Sequence, residues 1–238
     1  MALTFDDGPS EQFTEQILEV LEQAGVVATF FCLGQSVEAN PDLVRQVRDA
    51  GHSIGNHTWS HPDLTTLTRE QIRDELVRTN ESLNQALGEE DEERAAGEGE
   101  EEEEEEGEGD IRFFRPPSGS SNADVEAVVE ELGMKSVLWS IDTRDWDYPP
   151  PNDSTDLDAD ADAIANIVLQ QVGNGAIVLM HDGGGDRQRT VRALPKILSG
   201  LEERGVTLVN LDSLLGEDTS EGEERVFAAT EQPQVSGA

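Results

Sequence analysis

Short apolar runs alternate with amphipathic stretches along nearly the whole chain, and that alternation leaves few folds open. Residues 2–5, 26–33, 53–55, 111–114, 136–141, 176–180 and 206–209 read as seven strands, from their apolar character and the turn residues around them. Between them, apolar residues recur at helical spacing. Ile17, Leu18, Leu21 and Ala24 form a stripe over 11–24, opened by Ser10 as cap and stopped by Gly25. Asn40-Pro41 opens a helix carrying Leu43, Val44 and Val47. Thr68-Arg-Glu-Gln71 is a capping box for a helix to about Leu87. Further helices are expected over about 123–132, 160–172 and 190–204, with a short last one at Leu214 and Leu215. Strand–helix alternation implies βαβ units and a parallel sheet, open or closed into a barrel. Functional residues in such folds gather at the C-terminal ends of the strands. Five of the strand ends here carry polar residues of catalytic type, far apart in sequence and expected to converge in space.

Charge narrows the partners. With 52 acidic and 16 basic residues the net charge is -36, which argues against nucleic acid and anionic membranes because both would repel the chain. The carboxylates are spread over every segment, and only two of the cations, Lys135 and Lys196, are lysines. Such a surface suits a halophile, where salt shortens the range of self-repulsion; unfolding on dilution from molar salt checks that expectation. The stretch 88–109, with glutamate at every position from Glu100 to Glu106, has almost nothing to bury and reads as a disordered acidic insertion. The polar tail 217–238 reads the same way, leaving 1–216 as one domain. The single cysteine, Cys32, excludes an internal disulfide and reads as a buried strand thiol. No membrane helix, basic-then-apolar leader or protein partner is evident. The sequence as written therefore reads as cytoplasmic, or extracellular if a leader is missing.

The strand ends carry the chemistry. Asp6 and Asp7 close the first strand before Gly8-Pro9. Taken alone they are an acidic turn, or a pair in which one carboxylate binds a metal while the other faces a bound water. His57 and His61 are spaced i, i+4, which on a helical turn places two imidazoles on one face. Two histidines and a carboxylate leave positions open for water and substrate. Zinc suits that set best, and cobalt or manganese can substitute. His52 lies at a strand start and reads as structural. His181, at the end of the sixth strand, suits a general acid, with a further metal ligand or a capped loop histidine as alternatives. Asp145 is placed to orient it and keep it cationic. Arg115 is placed to pair with Asp6, and the prolines after it stiffen a loop that offers the Ser118 N–H to an oxyanion. Gly183-Gly184-Gly185 lacks the Gly-Lys-Ser/Thr ending of a phosphate loop and reads as a flexible loop.

Five motifs occur in the order Thr4-Phe-Asp-Asp-Gly8, His57-Thr-Trp-Ser-His61, Arg115-Pro-Pro-Ser-Gly119, Asp142-Thr-Arg-Asp-Trp146 and Leu179-Met-His181. Together they resemble the polysaccharide deacetylase family, carbohydrate esterase family 4, with its NodB-homology domain. The resemblance spans about 1–216. It implies a distorted (β/α) barrel of about seven parallel strands and metal-dependent removal of N-acetyl groups from the amino sugars of a glycan. By motif it implies Asp6 as base, Asp7, His57 and His61 as metal ligands, Arg115 positioning the base, and Asp145 tuning the acid His181. Trp146 and Leu179 would line a pocket for the acetyl methyl, and Thr58 would brace the metal loop. Ser118 departs from the pattern, which usually has an aromatic there. That leaves O-acetyl esters or a non-sugar amide as alternative substrates, with a non-catalytic carbohydrate-binding protein as a third reading.

Overall fold

A computed structural model describes residues 1–95, 111–152 and 155–216. Its strands are β1 (Ala2–Asp6), β2 (Thr29–Cys32), β3 (Ser53–Asn56), β4 (Phe113–Phe114), β5 (Lys135–Ser136), β6 (Ile141–Asp142) and β7 (Ile177–His181). Its helices are α1 (Thr14–Ala24), α2 (Gly34–Ala39), α3 (Pro41–Asp49), α4 (Arg69–Ala95), α5 (Ala123–Glu131), α6 (Leu157–Gln170), α7 (Gln188–Glu202) and α8 (Leu211–Leu215). Every strand pairing is parallel, in the order β5-β4-β3-β2-β1-β7-β6.

Connectivity forces this sheet to curl. The two edge strands, β5 and β6, are joined only by residues 137–140. Five Cα steps reach at most about 18 Å, whereas the six gaps of a flat seven-stranded sheet span about 29 Å. The sheet therefore wraps toward itself as a curled, barrel-like half-cylinder, with 137–140 crossing between its edges.

Alternation along the strands sorts side chains to two faces. Leu3 and Phe5 pack outward with Ile17 and Leu21 of α1 and Ile197 and Leu201 of α7. Ala2 packs inward with Phe31, Phe113 and Val137. Thr4 and Asp6 share the inward face with Ala2, so β1 delivers a carboxylate to the inside of the curl at its C-terminal end. Cys32 is buried at the end of β2, as expected.

Several elements depart from the sequence reading. The expected strand 136–141 is split into β5 and β6, and the expected strand 206–209 forms no ladder. It runs beside Met1, with Val209 N–H donating to the Met1 carbonyl at 3.0 Å and Met1 N to the Thr207 carbonyl at 3.2 Å. The total of seven thus stands with a different membership. Ser10 does not cap α1 with its side chain; its N–H donates to Thr14 Oγ1 at 2.7 Å and a turn precedes the helix. The capping box before α4 forms as expected, with Thr68 N–H to Gln71 Oε1 at 3.0 Å and Gln71 N–H to Thr68 Oγ1 at 3.3 Å. That helix runs to Ala95, into the stretch 88–109, because Glu, Arg and Ala are good helix formers. The rest of the acidic stretch and the tail from 217 lie outside the described residues.

Candidate metal centre and active site

The end of β1 is where the site is built. Asp6 is 2 % exposed, and Arg115 Nη1 donates to its Oδ1 at 2.8 Å. The other oxygen, Oδ2, lies 3.7 Å from His57 Nε2. Asp7 follows with φ 73°, which turns its side chain away from the strand direction and toward the histidines. Its Oδ1 stands 3.4 Å from His57 Nε2 and 3.6 Å from His61 Nε2, and is buried without a hydrogen-bond partner. Burial alone would raise the Asp7 carboxyl, but His57, His181 and His61 hold it well below the usual carboxylate range.

His57 and His61 converge through a loop rather than the helical turn expected from their spacing. Thr58 and His61 take left-handed φ values of 75° and 61°. Four contacts hold that shape. Asn56 Oδ1 accepts from Thr58 N–H at 2.8 Å, and Thr58 Oγ1 accepts from His61 N–H at 3.0 Å. Glu75 Oε2, from α4, accepts from the N–H groups of Trp59 and Ser60, both at 2.9 Å. The rings end 5.2 Å apart, edge to face.

These residues fit a cation. Asp7, His57 and His61 each offer one ligand atom, all within 4.8 Å of one another. His57 Nδ1 sits 2.7 Å from the Arg115 carbonyl, so it carries the proton and leaves the Nε2 lone pair free. Burial pushes the His61 imidazole down, toward the neutral form a metal requires. An orphaned carboxylate oxygen facing two imidazole nitrogens is costly without a cation and satisfied with one.

Opposite the cluster, β7 pairs in register with β1 so that Asp6 faces His181. His181 Nδ1 lies 2.7 Å from Asp145 Oδ1, and Asp145 Oδ2 accepts from His181 N–H at 2.9 Å and Thr190 Oγ1 at 2.7 Å. Burial lowers the imidazole, but Asp145, with Asp6 and Asp7, outweighs it and raises His181 to about 9. The ring is thus cationic at neutral pH. Burial would raise Asp145, yet His181, Thr190 and Arg187 bring it below the usual range.

The remaining predicted residues divide. Leu179 is buried on the inward face of β7, in register with Thr4. Ser118 is exposed in the turn after Arg115, at φ 55°. Trp146 is 47 % exposed; its indole N–H reaches Asp142 Oδ1 at 3.4 Å and Arg144 stacks on it. Among the described residues, neither Ser118 nor Trp146 has a hydrogen bond or ring contact to the metal cluster. His52 is buried at the start of β3: Nδ1 accepts from Ala28 N–H at 3.1 Å, the ring lies against Phe30, and Nε2 has no hydrogen-bond partner among the described residues. It borders a groove of about 830 Å³ at the opposite end of the barrel, which none of the site residues line.

The family model for polysaccharide deacetylases matches residues 1–104. A chitooligosaccharide deacetylase of Rhizobium leguminosarum bv. trifolii is 38% identical, over 88% of this chain and 88% of its own. A peptidoglycan-N-acetylglucosamine deacetylase of Bacillus cereus is 36% identical, over 90% of this chain and 87% of its own. This chain belongs to the polysaccharide deacetylase family. The family 4 carbohydrate esterase from Streptomyces lividans, solved with acetate, superposes with a TM-score of 0.70 at 34% identity, covering 88% of this chain and 90% of that one. The curled seven-stranded sheet is thus the family's barrel.

Within that family frame, several site residues carry no signal in the sequence. Asn56, Glu75 and Thr190 act through hydrogen bonds that only the folded chain reveals. Asp182 has a local signal, being next to His181, and is 1 % exposed. Thr14 Oγ1 donates to its Oδ2 at 2.6 Å, while Oδ1 has no partner. Burial, helped by Asp7 and Asp6, raises Asp182 from 3.8 to about 7. The folded chain therefore holds this proton where the unfolded chain has lost it. Its stabilising share is full below about pH 4 and is lost as the pH rises toward 7. Asp182→Asn cannot ionise, so between pH 5 and pH 8 the metal-free variant should lose less stability than the wild type. The difference is expected at up to about 1.4 kcal/mol per pH unit. Urea unfolding at both pH values measures it, and parallel losses in the two proteins would contradict it.

Proposed function

We propose that this chain is a metal-dependent hydrolase that removes N-acetyl groups from the amino sugars of a glycan. The observation that carries the reading is the orphaned Asp7 Oδ1 between two imidazole nitrogens, with a restrained carboxylate on one side and an imidazolium opposite. Asp7, His57 and His61 would hold the ion. Zinc is the expected one, from two nitrogen donors and one oxygen, with cobalt or manganese able to replace it. Once bound, such an ion lowers the pKa of water and polarises a carbonyl oxygen.

The chain's own groups do the rest. Arg115 occupies Asp6 Oδ1 and leaves Oδ2 turned toward the cluster, where it takes a proton from the attacking water. The Ser118 N–H, beyond two stiff prolines, donates to the developing oxyanion. His181, charged through Asp145, gives its proton to the leaving amine, and acetate departs. Leu179 and Trp146 enclose the acetyl methyl, and Thr58 keeps His61 in place through its N–H. The relatives' names support the substrate class: both act on N-acetylglucosamine units or chitooligosaccharides. No helix among the described residues is long and apolar enough to cross a membrane. The strongly acidic surface fits work in high salt.

The exposed Ser118, where the family usually carries an aromatic, favours one other reading, an O-acetyl ester or a non-sugar amide as substrate. Acetate release from N-acetylglucosamine oligomers, compared with acetate esters and small cyclic amides under added zinc, separates the two. The oligomers should be turned over with the highest kcat/KM. Faster hydrolysis of the esters or cyclic amides would displace the glycan reading.

A further inference from the structure

The Gly183-Gly184-Gly185 run, expected to be a flexible loop, is packed against the metal cluster. A Cβ on Gly183 would stand 2.1 Å from the Asp7 carbonyl oxygen, and one on Gly184 2.4 Å from Asp7 Oδ2. Gly184 also holds φ +69°, a conformation that L side chains rarely adopt. The turn is tied to β1 as well, since the N–H groups of Asp182 and Gly183 donate to the Asp6 carbonyl at 3.1 and 3.3 Å.

Behind the turn lies Arg187, at the start of α7 and 6 % exposed. Its Nε donates to the Gly183 carbonyl at 2.6 Å and its Nη2 to the Gly184 carbonyl at 3.1 Å. Among the described residues no carboxylate forms a direct ion pair with it, although its charge also acts on Asp145. Desolvating a guanidinium is costly, and here its hydrogen bonds go to the carbonyls of two consecutive glycines, the residues with most backbone freedom to lose.

We infer that the Gly183-Gly184 turn, strapped by Arg187, is the backstop that sets the Asp7 carboxylate as a metal ligand, with Arg187 as its positioning residue. Asp7 Oδ2 rests on Gly184, which directs Oδ1 between His57 and His61. A side chain at 184 would displace that carboxylate, and loss of the guanidinium would release the two carbonyls that hold the turn. The inference rests on Asp7 being a ligand.

Cobalt binding to the full chain tests it, by calorimetry and by the visible spectrum of the bound ion, with urea unfolding of each metal-free variant measured separately. Arg187→Gln should weaken cobalt binding by about tenfold or more, in the range typical of groups that orient a ligand. Gly184→Ala should weaken it at least as much and alter the cobalt spectrum. Arg187→Lys, able to reach one carbonyl, should recover part of the loss. Asp7→Asn should abolish tight binding. Should Gly184→Ala fail to fold, the two Arg187 variants decide. Wild-type affinity and spectrum in Arg187→Gln, beside lost binding in Asp7→Asn, would overturn the backstop and leave the ligand set standing. Wild-type affinity in Asp7→Asn would overturn the ligand assignment itself.

Discussion

Asp6→Asn should lower acetate release by about 10² to 10⁴-fold, the usual worth of a positioned general base, while metal binding survives. The asparagine keeps the shape of the side chain and an oxygen for Arg115 Nη1, which lies 2.8 Å from Oδ1 in the wild type. It cannot accept a proton where Oδ2 stands, 3.7 Å from His57 Nε2. His57 and His61 do not depend on that charge for their positions, because the Asn56, Thr58 and Glu75 hydrogen bonds set the histidine loop, and Asp7 lies against the Gly183-Gly184 turn. Initial rates on a chitooligosaccharide, with metal content measured in the same samples, check the prediction. Turnover within a few-fold of wild type would remove Asp6 as the base, and loss of the metal along with activity would make it a ligand.

Replacing Arg115 should cost the most stability of any single change in the site, about 3–5 kcal/mol for Arg115→Met, the range found when one partner of a buried ion pair is removed. The residue is fully buried. Its Nε donates to the Val137 carbonyl at 3.0 Å, and its Nη1 to Thr4 Oγ1 at 2.6 Å as well as to Asp6. Its guanidinium carbon lies 4.2 Å from the centre of the Phe31 ring. One side chain thus pairs with Asp6 and also pins the 137–140 crossing to β1, where the curled sheet comes together. Lysine keeps the charge but not the fork, so Arg115→Lys should recover only a minor part. Urea midpoints and slopes of the three proteins provide the measurement. A loss under about 1 kcal/mol for Arg115→Met would show that the pair carries little of the fold.

Much of this was legible in the sequence because its signals are local. A strand followed by a carboxylate, or a proline-stiffened loop after an arginine, is written in neighbouring residues, and βαβ alternation tells that the strand ends meet. Sheet membership was less legible. Residues 136–141 are apolar enough for one strand, yet the chain must cross the mouth of the curl there, so the ladder breaks between Ser136 and Ile141. Residues 206–209 have strand character but find only Met1 beside them, without forming a ladder. The i, i+4 spacing of His57 and His61 suggests a helix, and the hydrogen bonds that Asn56 and Glu75 accept impose a loop that brings the same two rings together. Glu75 lies on a helix as one glutamate among many, so nothing local distinguishes it. Arg187 was hidden for the same reason, since its role depends on the turn it holds and on the burial it accepts.

A metal held by Asp7, His57 and His61 should be required to release acetate from an N-acetylated amino sugar. The direct measurement is acetate produced from an N-acetylglucosamine oligomer by chelator-stripped protein, before and after zinc is added back to one equivalent per chain. No release above background is expected from the stripped protein, and release should rise with zinc and level at one equivalent. Undiminished release after stripping, or none from protein shown to hold one zinc per chain, would contradict it.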